Sequence, residues 1–196
     1  MSLNTDTRSR TLWDAGKDKR RFSLNTWLEH VQAVLSTTPE RWQRLVSTLP
    51  IDLLTRPPAA GEWSALQCLQ HLLDAERLNF PVRFHAFLAG QDFAAFDPNQ
   101  PHSGPDSQNP EQLAAAFART RQESLVLLKH VRDEDLRRTV RHPQLDTVTL
   151  AEMLHTWAAH DLNHTVQAER ALMQPLMLGC GPWRSFFRDH EVGVPE

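Results

Sequence analysis

Apolar positions recur at helical spacing along most of the chain and show no sustained alternation with polar ones. From Leu24 the run Leu24, Trp27, Leu28, Val31 and Leu35 steps by three and four residues, as one face of a helix does. Thr38-Pro39-Glu40 reads as a restart, with Thr38 as N-cap and Pro39 at the first helical position. The second piece, through Trp42, Leu45 and Leu49, ends before Pro57-Pro58. Ser64-Ala65-Leu66-Gln67 has the form of a capping box, with Trp63 placed as a hydrophobic staple. It predicts a helix to about Leu78, with Pro81 bending or ending it. Asn109-Pro110-Glu111-Gln112 opens another helix, whose expected inward face is Leu113, Phe117, Thr120, Leu127, Leu128 and Val131. Thr149-Leu150-Ala151-Glu152 repeats the capping-box form and starts a last long helix, to about Met173.

The segments between these runs complete the expected architecture. Residues 1–21 are polar and aperiodic, and read as a flexible N-terminal arm before a single domain over 22–196. Gln91 to Asn109 is rich in Pro, Asp, Asn and Gly, long enough for a lid or a disordered stretch. Beyond Pro175 comes a short extension with Gly179-Cys180-Gly181-Pro182 and an aromatic piece, Trp183 to Phe187. The fold expected is all-α: an antiparallel four-helix bundle with a long loop and a short C-terminal extension.

Composition narrows the function classes more than the fold. Lys and Arg number 21 against 24 Asp and Glu, so no broad basic field invites nucleic acid. No apolar run approaches the roughly 20 residues of a spanning helix, and the polar start is no signal peptide. Two widely separated cysteines, Cys68 and Cys180, form no disulfide framework and suit the cytoplasm. Histidine changes the picture: there are ten, three of them between positions 155 and 164.

The seam of the last helix runs Leu150, Met153, Trp157, His160, His164, Gln167, Ala171. Three hydrogen-bonding side chains thus hold consecutive core-facing positions, and burying each without a partner costs about 1–3 kcal/mol. A metal ion is a partner they could share. Residues four apart lie one turn apart on one face, so two imidazoles can converge on one ion. Asp161-Leu162-Asn163 fills the interval, and the Glu that serves as general base in HExxH peptidases is absent. A third ligand comes from the Ser64-capped helix, whose seam reads Cys68, His71, Ala75, Leu78, Val82. His155 lies nine residues before His164, about half a turn out of phase, and is set aside. On spacing alone, singly buried histidines remain an alternative to ligands.

At these residues the chain resembles the DinB/YfiT-like superfamily of bacterial helical metalloproteins. The matching pieces are Gly61-Glu62-Trp63-Ser64, Gln70-His71-Leu72-Leu73-Asp74-Ala75-Glu76, His142-Pro143, and Trp157 through Gln167. The resemblance spans roughly Leu24 to Met173. It implies a four-helix bundle, a divalent metal on His71, His160 and His164, and coordination positions open to water or substrate. Zinc or nickel suits three imidazoles, with iron also open. Relatives include bacillithiol S-transferases, mycothiol-dependent maleylpyruvate isomerases, and the bundle half of iron-dependent sulfoxide synthases. The resemblance therefore implies a small-molecule substrate and a low-molecular-weight thiol, in a transferase or isomerase reaction. A hydrolase using bound water is the second reading, and a non-catalytic metal-binding stress protein the third. A homodimer is open to all three.

Gln167 on the seam, Asp74 one turn after His71, and Asp161 beside His160 are candidates for orienting the ligand imidazoles. Glu76, about 140° from His71 around an ideal helix, suits a structural hydrogen bond better. Cys68, one turn before His71, suits a small core residue better than a fourth ligand.

Overall fold

The computed structural model describes residues 24–93 and 109–193. The expected N-terminal arm and most of the expected lid loop lie outside these. Among the described residues six α-helices follow in order: α1 (Leu24–Thr48), α2 (Ile51–Thr55), α3 (Ala65–Leu78), α4 (Phe80–Ala89), α5 (Pro110–Leu128) and α6 (Leu150–Leu178). The four long ones form the bundle. Helix α1 packs chiefly on α5 and α6, and α3 packs on the same two. The first two long helices, α1 and α3, are therefore diagonal, whereas α3 and α6 are in direct contact. That contact is what allows His71 to meet His160 and His164.

Local chemistry accounts for most helix starts. Ser64 accepts the Gln67 N–H while the Gln67 side chain accepts the Ser64 N–H, a complete capping box. Thr149 and Glu152 do the same at α6, and Asn109 caps α5 by accepting from Glu111 and Gln112. Such caps contribute about 0.5–2 kcal/mol each. Gly61, at φ +82, turns the chain into Trp63 and α3 in a region that other residues avoid.

Prolines behave differently from expectation. Pro39 does not restart a helix but sits inside α1, and Pro175 sits inside α6, which runs to Leu178. A proline at 39 cannot donate to the carbonyl of Leu35, and that carbonyl instead accepts from the buried Arg121 guanidinium at 3.0 Å. A tertiary donor thus replaces the missing helical one. Pro81 does end α3, and α4 begins around it, with the Asn79 backbone at φ −120, ψ −79 marking the break. The break also turns the seam: Leu78 and Val82, expected inside, are exposed, and Phe80, Phe84 and Phe87 are buried instead.

A small antiparallel hairpin, β1 (Thr139–His142) paired with β2 (Asp146–Thr149), was not expected. Its β-branched pairs Val140–Val148 and Thr139–Thr149 face each other across the ladder. A three-residue loop closes it, with Asp146 in the left-handed region at φ 60. At four residues a side, these strands are too short for alternation to show in the sequence. The core divides into two clusters, one around Leu35, Phe80, Phe87, Leu154 and Trp157, the other around Trp42, Leu69, Leu73, Leu113 and Phe117.

Candidate metal centre

His71 on α3 and His160 and His164 on α6 converge where the two helices touch. One ring nitrogen from each lies within 4.8 Å of the others. Nε2 of His71 is 3.0 Å from Nε2 of His160. At metal–nitrogen bonds near 2.0–2.1 Å, two ligands about 90–110° apart at the ion stand about 2.9–3.4 Å from each other. The measured spacing suits two ligands of one ion. Without an ion, two ring nitrogens face each other with at most one proton between them. The second nitrogen of His160, Nδ1, is buried with no hydrogen-bond partner among the described residues.

Burial keeps these rings neutral, which a ligand imidazole requires. Desolvation, then the neighbouring His164, lowers the pKa of His71 to about 4. Desolvation lowers that of His160 to about 3, with His164, His71 and Arg121 acting in the same direction. His164 is lowered by desolvation too, and Gln167 and Asp161 oppose the shift. Aromatic rings wall the group. Trp63 stacks on His164 with centroids 5.7 Å apart, and Phe80 meets His160 edge-on at 5.2 Å.

The expected orienting residues separate into different roles. Nδ1 of His164 donates to Oε1 of Gln167 at 2.8 Å, which fixes the ring and leaves Nε2 as the acceptor. Asp74 is half-buried and accepts from Gln70 Nε2 at 3.2 Å. Asp161 is not a solvated helix carboxylate. It is 1% exposed and takes both Nη groups of Arg121, at 2.6 and 2.9 Å. Cys68 is fully buried in the second core cluster, and burial pushes its thiol up to about 12. Among the described residues the group able to hold an ion comprises the three histidines. His155, set aside on phase, is exposed and stacks on Trp27 at 4.4 Å.

Beneath the histidines lies a network in which Glu76 makes the structural hydrogen bonds expected of it, and whose centre, Arg121, the sequence reading missed. Arg121 of α5 also donates through Nε to Glu76, which accepts from Ser124 Oγ at 2.7 Å and Trp157 Nε1 at 2.8 Å. Burial opposes the Arg121 charge, but Asp161 and Glu76 outweigh it and raise its pKa above the ordinary value. Two carboxylates against one guanidinium leave this layer acceptor-rich, a favourable setting for a cation among neutral rings. The signal was present: Phe117, Arg121, Ser124 and Leu128 form a seam in steps of four, three and four. Assigning Thr120 to the core in place of Arg121 shifted that face by one residue.

Comparison with known proteins follows the same outline. The DinB superfamily pattern matches residues 35–168. A Bacillus cereus protein, provisionally named a metal-dependent hydrolase, is 23% identical over 145 residues, covering 72% of this chain and 81% of its own. A Bacillus thuringiensis protein with the same provisional name matches to the same extent. Among solved structures, YfiT from Bacillus subtilis has a TM-score of 0.67 at 20% identity, covering 82% of this chain and 93% of its own. It is provisionally described as a metal-dependent hydrolase with an unusual four-helix bundle topology. The DinB-like YjoA, also from Bacillus subtilis, has a TM-score of 0.51 at 17% identity, covering 74% and 92%. At these identities the two structures establish the shared fold.

Proposed function

Because the chain belongs to the DinB superfamily and gathers three neutral imidazoles, two buried and one half-buried, at one point, we propose that it is a metal-dependent hydrolase. The observation that carries the reading is the convergence of His71, His160 and His164 within 4.8 Å. The thiol-dependent transferase expected from the sequence finds no support among the relatives, whose provisional names point to hydrolysis. Hydrolysis therefore takes first place.

The division of labour follows from the contacts. His71, His160 and His164 would hold the ion, with zinc and nickel the metals their chemistry suits and iron open. A divalent ion there supplies Lewis acidity and lowers the pKa of water. Gln167 holds the His164 ring in one tautomer through the 2.8 Å bond. Trp63 and Phe80 limit water around the imidazoles. Three neutral ligands leave room at the ion for water and a small-molecule substrate, whereas structural zinc is usually closed by four protein ligands.

Elemental analysis of tag-free protein should find about one divalent ion per chain, lost in a His160→Ala/His164→Ala double variant. Metal-loaded protein should hydrolyse members of a panel of carboxylic esters, amides and phosphoesters without added thiol, and a chelator should stop it. Turnover that requires a thiol would restore the transferase reading. Metal content unchanged in the double variant would sink the centre itself.

A further inference from the structure

Helix α6 carries a further polar strip that shares Gln167 with the histidine seam. Asn163, Gln167 and Arg170 follow at steps of four and three, on one side of the helix. With Glu62, Trp63 and Glu191 they line a cavity of about 460 Å³, within the range of small-molecule sites. The histidines are not in its lining, but two of its walls touch them. Trp63 stacks on His164, and Gln167 accepts the His164 proton. The C-terminal segment closes another side. Gln174 donates to the His190 carbonyl at 2.9 Å and accepts from the Val192 N–H at 3.3 Å. Gly193, at φ +77, comes so near the loop before α3 that a Cβ there would lie 2.7 Å from Cβ of Ala59.

Arg170 is the unbalanced charge in this wall. Its Nη2 donates to the Asp189 carbonyl at 2.9 Å, and its Nε is buried with no hydrogen-bond partner among the described residues. Among the described residues no carboxylate pairs with it. The Glu191 carboxylate is taken by Arg184 at 2.9 Å, and Glu62 is exposed on the loop. One neutral carbonyl is poor compensation for a half-buried guanidinium beside a cavity.

We propose that Arg170 anchors a carboxylate of the substrate in this cavity while the substrate's scissile group reaches the three-histidine centre. The proposal rests on the hydrolase reading and names its substrate class. A guanidinium fork matches a carboxylate in plane and spacing. Arg170 is six residues past His164, about 9 Å along the helix axis, so the substrate is extended, its charge well removed from the bond broken. Glu62, exposed in the same wall, repels a second negative charge. The substrate is therefore a monocarboxylate and not a polyanion.

The probes are the monohydroxamates of glutaric, adipic and suberic acid, each beside its methyl ester. The hydroxamate grips the metal, and the carboxylate is either present or masked. Calorimetric titration of the metal-loaded full-length protein should find the longer acids bound about tenfold tighter than their esters, the gain of a charge-assisted hydrogen bond. Arg170→Gln keeps an amide donor for the Asp189 carbonyl, and should bring acid and ester to equal affinity with the ester unchanged. Glu62→Gln should tighten the acid alone, by a few-fold. Acid and ester binding alike in the unaltered protein, or a preference that survives Arg170→Gln, overturns the anchor. If neither probe responds to added metal, the metal reading has failed instead. Benzoate added to metal-free protein then decides the anchor: a shift of the Arg170 Nε–H resonance, assigned from its loss in Arg170→Gln, supports it, and a stationary resonance overturns it.

Discussion

Two side chains of α6, Gln167 and Asp161, show how differently polar neighbours of the histidines are used. Gln167 acts on the centre through the His164 Nδ1 bond. Orienting partners of metal-bound histidines typically contribute 10–100-fold in affinity. Gln167→Ala should therefore weaken metal binding by about that factor, read by competition against a chelating indicator, with the helical circular dichroism unchanged. An unchanged affinity would show that the His164 ring is held by its packing on Trp63. Asp161 acts on the fold. Its removal leaves the buried Arg121 cation with Glu76 as its remaining carboxylate. Breaking a buried pair costs about 3–5 kcal/mol, so Asp161→Ala should lose stability of that order in urea unfolding. A loss under 1 kcal/mol would mean that water or a shifted Glu76 takes its place.

At the level of the helix, Pro39 and Pro175 set the limit of breaker rules. A proline in a helix interior costs about 3 kcal/mol, through a lost hydrogen bond and a clash with the carbonyl four residues earlier. In α1 that carbonyl belongs to Leu35 and turns to Arg121. Restoring the N–H with Pro39→Ala should therefore gain little, about 1 kcal/mol or less in chemical denaturation. A gain near the full 3 kcal/mol would mean that the Arg121 contact does not compensate for the missing donor. The helix starts were legible because each rests on contacts within four residues, as at Ser64–Gln67 and Thr149–Glu152. The continuation of α1 past Pro39 was not, because its donor lies 86 residues further along the chain.

For the whole molecule, the issue is whether the ion builds the fold or is added to it. Neither hydrophobic cluster includes a histidine, and the Glu76–Arg121–Asp161 layer ties α3, α5 and α6 together without an ion. A chain of 196 residues buries enough surface to fold unaided. Chelation should lower the melting temperature, since the ion stabilises the state that binds it. The helical circular dichroism at room temperature should remain. Wholesale loss of helix on chelation would make the centre a structural staple of the zinc-finger kind.

The sequence by itself determined the helical class, the capped starts of α3, α5 and α6, and the histidine pair on one face of α6. All of these follow from periodicity and from bonds between near neighbours. It also marked His71 as core-facing, since Cys68, His71 and Ala75 lie on one seam. Only the tertiary structure decided that α3 and α6 are neighbours, and so that His71 stands 3.0 Å from His160. It likewise decided that Arg121 sits under the site, that Leu78 and Val82 face outward, and that the C-terminal segment walls the Arg170 cavity. These outcomes depend on groups tens of residues apart competing for the same buried donors and space. A helix's own period says which side is apolar, but not which helix will cover it or which charge will be buried beside it.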